Sequence, residues 1–90
     1  MSAISDSLLP APNEIQTWST DQLIGYLRKT FGNNLYEADL RLIKSHKIDG
    51  VTFLGLKEEK LLSLGMKYAP AHRIVQHVQT LKGTYISNVA

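Results

Sequence analysis

Apolar residues recur at helical spacing through most of the chain, and the longest such stretch lies near the C-terminus. There the apolar positions fall at offsets of three, four and seven, while polar side chains take the other face. The apolar positions are Ala71, Ile74, Val75, Val78 and Leu81. Pro70 suits a first helical turn, and Gly83 is a stop signal. The pattern predicts a long terminal helix over residues 71–82 with one buried stripe.

Four shorter helical patterns precede this one. Ser19 followed by Gln22 is a capping-box pattern that opens the first of them. Gly65 follows a leucine-rich segment where a helix C-terminus favours a left-handed residue. The predicted helices cover residues 20–30, 35–44, 51–55, 57–64 and 71–82. The pattern predicts an all-α fold of five helices, of which the C-terminal one is the longest.

The two ends of the chain lack this periodicity. Met1 to Gln16 is rich in serine and contains Pro10 and Pro12, so we expect a flexible N-terminal lead-in over residues 1–16. Trp18 directly precedes the first cap and is expected to anchor the core. The predicted domain therefore spans residues 17–83, and residues 84–90 form a C-terminal tail.

The composition is that of one small globular domain, with 43% hydrophobic and 20% charged residues and a net charge of +2. Cysteine is absent, which excludes disulfides and thiolate metal sites. The N-terminus has no signal-peptide pattern, and no apolar run approaches the ~20 residues of a membrane span. We expect a protein without a membrane span, in the cytoplasm or the nucleus.

The spacing of reactive residues gives no support for catalysis or metal binding. His72 and His77 are five residues apart, which does not suit joint metal ligation from a helix. Gly50 and Gly55 have the spacing of a phosphate loop, but Leu56 and Lys57 stand where that motif needs Lys and Ser or Thr. We therefore expect no enzymatic activity, no cofactor and no metal site.

Four stretches, in this order, resemble the sterile alpha motif (SAM) domain family. They are Trp18 before the first helix, Ile48–Asp49–Gly50 after the second, the leucine-rich fourth helix ending in Leu64–Gly65–Met66, and the segment from Lys67 to Ile74. The resemblance covers Trp18 to Leu81. Lys57 departs from it, because the family commonly has a Ser, Thr or Asp cap there, and Ala69 stands where Gly is frequent.

The resemblance implies a five-helix bundle that acts as an interaction module. Such domains often associate head to tail, the end-helix surface of one copy meeting the mid-loop surface of another, which builds open chains unless they close. The implied end-helix surface consists of Lys67, Tyr68, Ala71, His72, Arg73 and Gln76. Bases and a histidine at a helix N-terminus favour carboxylates. The alternative is a solvated helix terminus.

The implied mid-loop surface consists of Asp49, Thr52, Phe53, Glu58 and Glu59. An apolar side chain ringed by acids would suit an interface. One of Val51, Phe53, Leu54 and Leu56 must face outward on a single helical turn, and the sequence leaves open which one. The acidic residues fit a solvated face equally well.

The predicted function is protein–protein interaction with another SAM domain, either a second copy of the chain or a different protein, in signalling or scaffolding. A homo-oligomer is one expected outcome. RNA-hairpin binding through Lys67 and Arg73, with Lys44 and Lys47, is the alternative. From residue 17 onward ten basic residues face six acidic ones, which is a sparse basic surface for a nucleic-acid binder.

Overall fold

The computed structural model describes the backbone of residues 9–86 and the side chains of residues 9–83. Six α-helices and one 3₁₀ turn account for the regular structure of these residues, which contain no strand. In chain order they are α1 (Pro12–Ile15), α2 (Thr20–Phe31), the 3₁₀ turn (Gly32–Asn34), α3 (Glu37–Ser45), α4 (Gly50–Leu54), α5 (Glu58–Ser63) and α6 (Tyr68–Ile86). The all-α class is confirmed, and α2 to α6 correspond to the five predicted helices.

Helix α6 is the longest element, and its apolar stripe lies in the centre of the bundle. Ala71, Ile74, Val78 and Leu81 are fully buried, and α6 packs against α4 and α5. The helix begins at Tyr68, so Pro70 falls in its first turn, where a missing N–H costs no hydrogen bond. The predicted stop at Gly83 is wrong, because α6 continues to Ile86. A single glycine inside a helix costs only about 1 kcal/mol.

Helices α2 and α3 follow the sequence signals closely. Ser19 Oγ accepts a hydrogen bond from the Gln22 backbone N–H at 3.2 Å, and Gln22 Oε1 accepts one from the Ser19 N–H at 2.8 Å. The predicted capping box is therefore present. Gly32 ends α2 with φ of +52°. Buried leucines and one isoleucine hold the two helices to the core: Leu23, Leu27, Leu40 and Ile43.

Helix α1 lies inside the segment that was predicted to be a flexible lead-in. Ile15 is fully buried, and α1 packs against α4. The prediction is wrong for Pro12–Ile15, whereas residues 1–8 lie outside the described residues. A helix of four residues with one buried side chain leaves no periodic pattern in the sequence. The domain limits at 17 and 83 remain a prediction.

The packing of α1 on α4 requires a residue without a side chain at Gly50. A Cβ atom at Gly50 would lie 1.7 Å from the Ile15 carbonyl oxygen, and the Gly50 N–H donates to the Trp18 carbonyl oxygen at 3.1 Å. Its φ is not positive; in this connection the left-handed residue is Lys47, with φ of 55°. Gly50 is therefore needed for a close approach of two backbones, not for a turn.

Helices α4 and α5 are short, and their ends are defined by caps. Asp49 Oδ1 accepts the Thr52 backbone N–H at 3.0 Å and so caps α4. Lys57 precedes α5 without a side-chain capping bond, which agrees with its departure from the family pattern. Gly65, with φ of +105°, turns the chain from α5 toward α6.

Candidate protein-binding surfaces

The start of α6 presents a polar and aromatic surface. Tyr68 is 62% exposed, the side chains of Lys67, Arg73 and Gln76 are exposed, and His72 is half-buried. Ala71 is fully buried, so its assignment to the end-helix surface is wrong: it belongs to the apolar stripe of α6. We define the tip as the remaining residues Lys67, Tyr68, His72, Arg73 and Gln76.

His72 is fixed at the tip by two contacts. Its ring stacks on the Tyr68 ring, with centroids 5.6 Å apart and planes 25° apart. Its Nδ1 lies 2.7 Å from Oε2 of Glu58, the first residue of α5. The structure therefore brings Glu58 to the tip. The packing of α5 on α6 directs this carboxylate to His72, and its assignment to the mid-loop surface stays a prediction.

Arg73 connects the tip to the turn that follows α2. Its Nη1 donates to the Asn34 carbonyl oxygen at 3.5 Å, which is a long hydrogen bond. Among the described residues, no carboxylate forms an ion pair with Arg73 or Lys67. Two residues beyond Asn34, Tyr36 is 69% exposed. The predicted helix over residues 35–44 includes Tyr36, but α3 begins at Glu37, so no helical face buries Tyr36.

The mid-loop residues lie on the start of α4 and on α5. Phe53 is fully buried and Val51 is 59% exposed, so the assignment of Phe53 to this surface is wrong. On the single turn of α4, Phe53 and Leu54 face the core and Val51 faces outward. We define the mid-loop face as Asp49, Val51, Thr52 and Glu59.

The two carboxylates of the mid-loop face have different surroundings. The Thr52 backbone N–H bonded to Asp49 holds the pKa of this carboxyl below its usual value. Asp49 is thus ionised and fixed in orientation by its role as a cap. Glu59 is exposed and shares a shallow depression with Lys57, Lys60 and Ser63. Its local environment is therefore of mixed charge.

An aromatic cluster that the sequence analysis did not find joins α2 to the middle of α6. Tyr26 Oη lies 2.6 Å from His77 Nε2. The Tyr26 ring is 5.1 Å from the Trp18 ring and 5.6 Å from the His77 ring, and Phe31 meets His77 edge-on at 5.4 Å. We call these four residues the aromatic seam.

Burial in the seam changes the titration of both polar members. It raises the pKa of Tyr26 and lowers the pKa of His77, because the charged form of each loses water. In the helical pattern both His72 and His77 fall at polar positions of α6. Which of the two is packed against another helix depends on the position of α2 relative to α6, and spacing alone does not give that position.

The part of the chain that the structure describes offers few candidate residues for other kinds of site. No group of three His, Asp or Glu side chains there is arranged to hold a metal ion. No helix in that part combines the length and the hydropathy needed to cross a membrane.

Comparison with known proteins gives one family and one relative. The family model for the SAM-like domain matches residues 1–80. Over 69 residues the chain is 36% identical to the Polyhomeotic-proximal chromatin protein of Drosophila melanogaster. The matched region is 76% of this chain and 4% of that protein, so the chain spans only a small part of its relative. No solved structure matches.

Proposed function

The chain belongs to the SAM-like domain family, whose members are generally non-catalytic protein-interaction modules, and on that premise we propose that the tip of one molecule binds the mid-loop face of another SAM domain. The partner proposed first is a second copy of this chain. Because the two surfaces differ, each copy keeps one of them available, and association can continue into an open chain.

The observation that carries the proposal is the exposure of Tyr68 and Arg73 together at one helix start. Tyr and Arg are the residue types that most often dominate binding energy at protein interfaces. The guanidinium of Arg73 has no carboxylate partner among the described residues, and the helix N-terminus adds partial positive charge. A carboxylate on a partner is the group that fits this surface best.

The mid-loop face supplies the complementary chemistry. Asp49 is an oriented, ionised carboxylate, and Val51, two residues later, provides an exposed apolar side chain. In the proposed interface Val51 takes the place that the sequence analysis gave to Phe53. Both surfaces are small and their charges are solvated, so we expect weak to moderate affinity that falls with salt.

RNA-hairpin binding receives less support from the contacts. Glu58 places a carboxylate within the tip, where it opposes a phosphate. Lys44, one of the bases considered for RNA, lies 3.7 Å from Asp21. We therefore retain protein interaction, in a signalling or scaffolding role. Of the two predicted locations, the word chromatin in the relative's name favours the nucleus.

Two variants test the proposal by each removing one surface. Arg73→Glu inactivates the tip, and Val51→Arg inactivates the mid-loop face; both residues are exposed, so the fold is retained. Arg41→Glu on α3 is the matched control, since it makes the same charge change at an exposed residue that belongs to neither surface. The measurement is sedimentation velocity over a concentration series at low and high salt.

We expect the wild type and Arg41→Glu to gain mass with concentration, and each surface variant alone to remain monomeric. A mixture of the two surface variants retains one intact interface and should stop at a 1:1 complex. A wild type that is monomeric throughout would exclude a second copy as the partner. Equal behaviour of Arg73→Glu and Arg41→Glu would exclude the tip.

A further inference from the structure

Glu58 is an acid that the chain itself supplies to its basic tip. Its carboxylate pairs with His72 at 2.7 Å, and the two side chains are 31% and 44% exposed, respectively. Tyr68 stacks on the same imidazole ring. In contrast Glu59, the next residue, forms no ion pair among the described residues. Two adjacent acids on one helix therefore have different surroundings.

The position of Glu58 bears on how the tip meets a carboxylate. Lys67, Arg73 and the helix N-terminus attract negative charge, and Glu58 is an acid already attached beside them. Because α5 is joined to α6 by a short connection, this carboxylate is present at the high effective concentration of an intramolecular ligand. A partner's carboxylate at His72 must share or displace it.

We propose that Glu58 is an intrachain competitor of the partner's carboxylate and lowers the affinity of the tip for an acidic mid-loop face. This inference rests on the proposed function and adds to it a residue that sets binding strength. The inference predicts the direction of the change in affinity. Removal of Glu58 strengthens the association, whereas removal of an acid of the mid-loop face weakens it.

The contacts around Glu58 indicate that the acid can be removed without loss of the fold. The packing of α5 on the core depends on Leu61, which is fully buried. The Glu58 side chain makes one described hydrogen bond, to a partly exposed histidine, and such solvated pairs contribute little to stability. Glu58→Gln keeps the shape of the side chain and removes only its charge.

The test measures one interface at a time. The Val51→Arg chain offers only its tip, and the Arg73→Glu chain offers only its mid-loop face. Placed in the tip donor, Glu58→Gln should lower the dissociation constant of the 1:1 complex about two- to fivefold, the effect expected of one solvated charge interaction. Placed in the face donor, the same substitution should leave the dissociation constant unchanged.

Glu59→Gln is the matched control, because it removes the same charge from the adjacent residue. In the face donor it should weaken the complex, since Glu59 is part of the mid-loop face. In the tip donor it should have less effect than Glu58→Gln. This comparison separates the specific contact at His72 from a general gain of positive charge.

Three results would overturn the inference. An unchanged or higher dissociation constant with Glu58→Gln in the tip donor would show that Glu58 only positions His72. An equal gain from Glu59→Gln in the tip donor would show a non-specific charge effect. In both cases the proposed function stands, because the two donors still bind. Donors that form no complex would remove the proposed function and this inference together.

Discussion

Helix α6 contains two histidines whose surroundings differ completely. His72, near its start, pairs with the Glu58 carboxylate and stacks on an exposed tyrosine. His77, in its middle, bonds to Tyr26 and packs between aromatic rings of α2. Five residues correspond to about 140° around a helix axis, so the two rings leave the helix on different faces. One face meets solvent and α5, and the other meets α2.

The different surroundings of the two histidines indicate that the start of α6 is available for binding and that its middle stabilises the fold. Contacts at the tip are reachable by a partner, so changes there should alter association more than folding. Contacts in the aromatic seam hold α6 to α2 and are partly removed from water, so changes there should alter folding more than association. Substitutions at the two histidines and at Tyr26 test this separation.

The largest effect is expected for His77→Ala. It removes the hydrogen bond to Tyr26 and two ring contacts, and should lower the free energy of unfolding by about 2 kcal/mol. His72→Ala, the matched variant on the same helix, should cost less than about 1 kcal/mol. Urea denaturation followed by circular dichroism and by the fluorescence of Trp18 measures both. Equal decreases in the free energy of unfolding would show that the two histidines contribute equally to stability and would contradict this prediction.

A smaller effect is expected for Tyr26→Phe. The ring and its packing remain, but the hydroxyl that contacts His77 Nε2 at 2.6 Å is lost, at a cost of about 1 kcal/mol. In a chain that already contains His77→Ala, the same substitution should cost clearly less, because its partner is absent. Equal costs in the two backgrounds, from the same urea measurements, would show that this contact does not stabilise the seam.

The smallest effect is a pH dependence of stability. Burial lowers the pKa of His77 in the folded chain below its ordinary value of 6.5. Between the pKa of the folded chain and that of the unfolded chain, the unfolded chain therefore binds the proton more strongly. The stability contributed by neutral His77 is fully present above about pH 6.5 and is lost as the pH falls toward the pKa of the folded chain. Trp18 and Phe31 in the seam are uncharged. In His77→Gln this part of the decrease should be missing; parallel stability curves of the two chains would contradict the assignment.

Local signals in the sequence were sufficient for most of the fold. The Ser19–Gln22 capping box and Gly65 mark real helix ends, because each acts through backbone bonds within a few residues. Helix α1 has Pro12 at its first position but no side-chain cap, and Ile15 is its one buried side chain, so no periodic pattern marks it. Gly83 carries a stop signal, yet α6 continues to Ile86, since a single glycine in a helix costs only about 1 kcal/mol.

The candidate surfaces were predictable only in part, since adjacent residues of the same type were separated by tertiary packing. Val51 and Phe53 are both apolar, and on a single turn the sequence cannot say which faces the core. Glu58 and Glu59 are both acidic, yet only Glu58 meets His72. The aromatic seam depends on the relative placement of α2 and α6, which no local pattern encodes.

The contact between α1 and Gly50 has a consequence for the order in which the molecule folds. It joins residues 15 and 50 and encloses α2 and α3 in the loop between them. Closing a loop of this length costs entropy before any contact repays it. We expect α2 and α3 to order first and α1 to dock late. For the same reason α1 should be the first helix to detach under mild denaturation, exposing Gly50 while the other helices remain folded.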